Sequence, residues 1–107
     1  MKQIFLTSFF LLSTAVFCQT HNGDVVLKTQ DDVALFGAGH YQHIDGNLLV
    51  NGDSSIVSLE ALDGLETVSG SAYIVSNKKL ETLEGLQKLR HIAGDFAIIN
   101  NHLLHTL

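Results

Sequence analysis

The chain's capacity for chemistry lies first in its carboxylates. From residue 53 onward these are Asp53, Glu60, Asp63, Glu66, Glu81, Glu84 and Asp95. Glu60 and Glu84 stand 24 residues apart, and Glu81 falls three residues before Glu84. A close pair of carboxylates is what acid–base cleavage of a glycosidic bond uses. Such a pair needs a shaped pocket, and here no His, Lys or Arg recurs in a matching row and no insertion interrupts the sequence around it. Solvated glutamates on bends are the plainer reading. Ser and Thr are plentiful, but no nucleophile elbow with a His/Asp partner is present.

Histidine raises the question of a metal. His40/His43 and His102/His105 are i, i+3 pairs, while His21 and His91 stand alone. A metal site needs convergent ligands in a defined geometry, and no cysteine joins these residues. The sequence therefore predicts no catalytic residue, no metal and no cofactor.

The element that must position these groups is a repeat. Ile44, Val68 and Ile92 are spaced by 24, and so are Gly46, Gly70 and Gly94. The register continues through Val50/Ile74/Ile98, Asp53/Asn77/Asn101, Ile56/Leu80/Leu104 and Leu59/Leu83/Leu107. A fixed period of this size signals a stacked repeat architecture. The alternation Ala72-x-Ile74 reads as a strand with one face inward, as do Leu48–Asn51 and Phe96–Ile99. The leucines that follow come in steps of three and lack the i+4 partner of an amphipathic helix. A helical leucine-rich repeat over Leu83–Leu89 is the alternative, weakened by Gly85, since a mid-helix Gly costs about 1 kcal/mol. The fold expected is thus mainly all-β: a right-handed parallel β-helix, or leucine-rich solenoid, with 24-residue coils and a short N-terminal capping helix. Gly46, Gly70 and Gly94 would sit at corners of close backbone approach. Asp53, Asn77 and Asn101 would form a structural ladder, with inward amides bonding the backbone of the bends.

The stretches Val68–Asn77, Leu80–Leu86 and Leu89–Asn101 resemble the receptor L-domain-like family of secreted and surface-anchored bacterial proteins. The resemblance runs from about Asp24 to Leu107. It implies short parallel strands, ligand binding through a broad sheet face, and no catalytic residues to carry over. Such domains usually have more repeats, and this sequence stops before its third copy closes. The expectation is that the natural chain continues or that the uncapped C-terminal coil self-associates.

In chain order, residues 1–19 read as a secretory signal. Lys2 gives the positive start, and Ile4–Phe17 is an apolar run too short for a membrane span. Cys18 is the sole cysteine, so no internal disulfide braces the fold. Lipidation of Cys18 is disfavoured by Phe17 just before it. Residues 20–43 read as an N-terminal cap, with a strand in Asp24–Thr29 and a helix over Gln30–Phe36. Thr29-Gln-Asp-Asp32 resembles a capping box, and Gly37 is placed to stop the helix. Residues 44–107 hold the repeats.

The net charge is −5 with no basic stripe. That argues against nucleic acid and against an anionic membrane surface, and no transmembrane segment is evident. Outward positions on the repeated strands form two rows, Leu49/Tyr73/Ala97 and Asn51/Val75/Ile99. Apolar residues there are not needed for a core, so they are the candidate binding surface. The reading is a non-enzymatic, secreted or cell-surface (outer-membrane-associated) recognition or adhesion module that binds a protein or carbohydrate. The alternatives are a structural spacer, or a fragment of a longer multidomain surface protein, with a β-helix polysaccharide-active enzyme third.

Overall fold

Short strands separated by bends are what this sequence can form, because few runs exceed four apolar-alternating residues. The computed structural model describes residues 19–104. The expected signal segment through residue 18, with Cys18, lies outside the described residues, as do residues 105–107. Among the described residues there are eight strands: β1 (Thr20–Asn22), β2 (Val25–Leu27), β3 (His43–Asp45), β4 (Leu48–Val50), β5 (Thr67–Val68), β6 (Ala72–Val75), β7 (His91–Ile92) and β8 (Phe96–Ile99). Helix α1 spans Gln30–Ala38, and a 3₁₀ turn spans Glu60–Leu62.

The strands make two parallel sheets of four, in the orders β1-β3-β5-β7 and β2-β4-β6-β8. The 24-residue spacing is the pairing register: His43 faces Thr67 and Thr67 faces His91, while Leu48 faces Ala72 and Ala72 faces Phe96. The first step is shorter by one residue, with Val25 opposite Leu48.

This corrects the expected fold class. The chain is not a mainly all-β right-handed parallel β-helix or leucine-rich solenoid with 24-residue coils. Its described residues form a small domain of two four-stranded parallel sheets and one α-helix. The physical reason lies in the steps of three. Ile56, Leu59, Leu62 and Leu65 turn their side chains into the core from bends and a 3₁₀ turn, so that backbone builds no further sheet. Gln30–Ala38 meanwhile satisfies its backbone within a helix.

Strands β2, β4 and β6 bury alternate residues, whereas β8 leaves Phe96 and Ile99 exposed and Ala97 and Ile98 half-buried. Val25, Leu27, Leu48, Val50, Ala72 and Ile74 point inward, and the residues between them do not. The buried core runs from Val25 of β2 to Leu80 and includes Val33 of α1. Glycine permits the bend between paired strands: a Cβ on Gly70 would lie 2.8 Å from the Gly46 carbonyl oxygen. At the strand exits Ser76 and Asn100 hold φ of 55° and 58°, the left-handed region.

Helix α1 begins as its sequence dictates. Thr29 Oγ1 accepts from Asp32 N–H at 3.0 Å, and Asp32 Oδ2 accepts from Thr29 N–H at 3.2 Å. The helix does not stop at Gly37 but runs to Ala38, with Gly39 as its C-cap. Gly37 instead lets α1 press on the 3₁₀ turn, where a Cβ would sit 2.6 Å from Ala61 Cβ. Gln30 fastens the helix to the next stretch of chain: its Oε1 accepts from Val57 and Ser58 N–H at 2.9 and 3.0 Å. Leu35 stands 24 residues before Leu59, yet it is 74% exposed where Leu59 is buried.

Candidate functional site

The outer face of the β2-β4-β6-β8 sheet collects the residues that the alternation turns away from the core. Backbone pairing sets Val26, Leu49, Tyr73 and Ala97 in one row across all four strands. Val75 pairs with Ile99 in the adjoining row, and Asn51 begins that row just past β4. Leu49, Tyr73, Val75 and Ala97 are half-buried, while Asn51 and Ile99 are exposed. Thus the structure brings the six expected residues to one face. Sequence reasoning missed Val26, which is 47% exposed. Its signal was the Val25-Val26-Leu27 alternation, hidden by the 23-residue first step.

One border of this face is a polar rail. Asp24 Oδ1 accepts from Asn47 N–H at 2.9 Å, Asn47 Oδ1 from Ser71 N–H at 2.8 Å, and Ser71 Oγ from Asp95 N–H at 3.0 Å. Each register step is therefore tied to the next at the same corner. Between rail and row lies a shallow depression of about 420 Å³, which Val26, Leu49 and Tyr73 share with Asp24, Asn47 and Ser71. Such a surface offers apolar and aromatic contact beside hydrogen-bonding groups, and no charge lies within the two rows.

The other singled-out residues fall elsewhere. Asn77 is fully buried. Its Oδ1 accepts from Gly52 N–H at 2.6 Å, and its Nδ2 donates to the Val50 carbonyl at 3.0 Å. Asn101 Nδ2 donates to the Ile74 carbonyl at 2.8 Å, the same bond one step on. Asp53 meets Asn77 through backbone bridging alone, while its carboxylate points to solvent 3.3 Å from Lys78 Nζ.

Glu60, Glu81 and Glu84 line one open groove with Lys79. All three carboxylates are exposed, so nothing withdraws them from water as an acid–base pair requires. His43 Nδ1 contacts Thr67 Oγ1 at 2.6 Å, and His40, His91 and His102 are exposed. Among the described residues no three His, Cys, Asp or Glu side chains converge as a metal site would need. No helix among them is long and apolar enough to cross a membrane. No protein-family profile matches the chain, and no curated protein matches it in sequence.

Proposed function

We propose that this chain is a non-enzymatic recognition or adhesion module, secreted or held at the cell surface, that binds a protein or glycan through the outer face of the β2-β4-β6-β8 sheet. The observation that carries this reading is the continuous row Val26, Leu49, Tyr73, Ala97. A row of apolar side chains on the solvent side of a sheet adds nothing to the core. Strand propensity accounts for single residues but not for their alignment beside a polar rail. Tyrosine at its centre supplies both apolar area and a hydroxyl. The likeness of Val68–Asn77 to receptor L-domain-like repeats agrees with ligand binding by a sheet face. The experiment is a glycan array and a cell-adhesion assay with the chain and its Tyr73→Ser/Val75→Ser/Ile99→Ser variant. Binding by the parent alone supports the reading. Binding by neither leaves the chain as a spacer, or a piece of a longer surface protein, and equal binding by both moves the contact off this face.

A second contact is proposed between copies of the chain. Among the described residues β7 and β8 pair on one side only. Beside them opens a groove of about 730 Å³ whose wall combines Leu83, Leu86, Leu89, Ile92 and Phe96 with Glu84 and Arg90. Uncharged edge strands next to apolar side chains favour association. Sedimentation velocity across a range of concentration tests it, and a monomer throughout sinks it.

A further inference from the structure

The polar rail keeps bonding capacity that the fold does not use. Asp24, Asn47 and Ser71 each accept one backbone N–H through a side-chain oxygen, which fixes their orientation. Among the described residues none bonds Asp24 Oδ2, Asn47 Nδ2 or the Ser71 hydroxyl hydrogen. That leaves a charged acceptor beside amide and hydroxyl donors. Asp24 and Asn47 are exposed, and with half-buried Ser71 they line the depression next to Val26, Leu49 and Tyr73. Side chains alternate along a strand, so Ser71 shares the outer face with Tyr73, and Asn47 shares it with Leu49.

Size separates the ligands that such a face could take. From β2 to β8 it spans three strand spacings, about 14 Å, by about 13 Å along the strands, or roughly 200 Å² in plan. A stable protein partner covers about 800 Å² on each side, so this face alone is too small for one. The depression, about 420 Å³, falls instead at the lower end of small-ligand sites, which hold about 300–1,000 Å³. Charge narrows the class further. Asp24 puts a carboxylate in the wall, and among the described residues no Lys, Arg or His lines it, so an acidic ligand is repelled.

We infer that the depression binds one ring of a neutral sugar, a hexopyranose unit of a glycan. Its C–H face lies on Tyr73, and the hydroxyls at its edge bond Asp24 and Asn47. The inference rests on the reading of this sheet face as a binding surface, and within that reading it chooses glycan over protein. A hydroxyl both donates and accepts, so neighbouring hydroxyls serve the Asp24 carboxylate and the Asn47 amide together. An apolar ligand of the same size would cover those groups and leave them without partners. Tyr73 adds flat, rigid contact area at little cost in lost rotation. A site this open holds a single ring weakly, with Kd on the order of millimolar.

The probes are the methyl glycosides of glucose, galactose and mannose, followed by NMR on the full chain. The matching uronides test charge, and sorbitol supplies the hydroxyls without the closed ring. At least one hexoside is expected to shift the Tyr73 ring and the Asn47 side-chain amide saturably, with sorbitol shifting neither. Its uronide should bind about two- to fivefold more weakly. Tyr73→Ala should weaken hexoside binding about tenfold. Asp24→Asn keeps the acceptor for the Asn47 N–H and should abolish the discrimination against the uronide. No saturable shift with any hexoside, an equal response to sorbitol, or binding unchanged by Tyr73→Ala overturns the inference. A uronide bound as tightly as its hexoside overturns the assignment to neutral sugars. If no hexoside binds while cells or a protein still adhere through this face, the sugar assignment falls and the binding reading stands; if nothing binds, both fall. Should Tyr73→Ala fail to fold, Asp24→Asn and sorbitol still decide.

Discussion

Asn101 Oδ1 accepts two hydrogen bonds from Asn77, one from its backbone N–H and one from its side-chain amide, each at 3.0 Å. The two residues stand 24 apart, so a single amide fastens one register step to the next from inside the fold. Asn77 in turn serves Gly52 and Val50 below it. Truncating it strands a donor and an acceptor in a dry environment. Asn77→Ala should lose about 2–4 kcal/mol of stability in urea unfolding. Asn101→Ala, at a half-buried position, should lose about 1 kcal/mol.

Ser76 precedes Asn77 in a left-handed conformation, and the equivalent residue one repeat on is Asn100, with nearly the same φ. Asn tolerates that region better than Ser. Ser76→Asn should therefore stabilise the chain by roughly 0.3–1 kcal/mol, seen as a higher midpoint in thermal unfolding. A lower midpoint would mean that the Ser76 side chain matters in its own right.

Gly37 sets two effects against each other. Gly to Ala inside a helix gains about 1 kcal/mol from propensity. A Cβ there presses on the Ala61 backbone carbonyl and lies 2.6 Å from Ala61 Cβ, and overpacking of this kind costs about 1–3 kcal/mol. Contact with backbone is hard to relieve, so the clash should win. Gly37→Ala is expected to be less stable by about 1 kcal/mol net, as measured by urea denaturation.

Lys78 and Asp53 make an ion pair whose side chains are 62% and 72% exposed. Solvent screens such pairs, so Lys78→Ala should change stability by less than about 0.5 kcal/mol. A larger loss in chemical denaturation would show that the pair braces the Asp53 bend.

The sheet face should behave unlike all of these. Tyr73, Val75 and Ile99 pack outward, and their replacement by Ser should leave the unfolding midpoint within a few degrees while removing ligand binding. A collapse of the midpoint would assign these residues to packing instead.

The frame was legible because burial repeats in register: Val50, Ile74 and Asn77 announce themselves by type and spacing. The capping box at Thr29 was legible because its chemistry is local. The β1-β3-β5-β7 sheet was not, since β5 and β7 are two residues long and too short to show alternation. Nor was the course of α1 past Gly37, because the neighbour that makes that glycine necessary, Ala61, lies far along the chain. The fold class failed for a related reason: steps of three set which residues point inward without stating what backbone carries them. Val26 was lost when the first step shortened by one residue.

Every strand pair in both sheets is parallel, with partners one step apart along the chain. The inter-strand hydrogen bonds consequently point along the direction in which successive strands accumulate. A tether pulling the two ends apart would load those bonds one rank at a time, peeling β8 and β7 away before β6 and β5 feel the strain. Under tension the domain would pay out length in small increments at low force, rather than resist and then snap open.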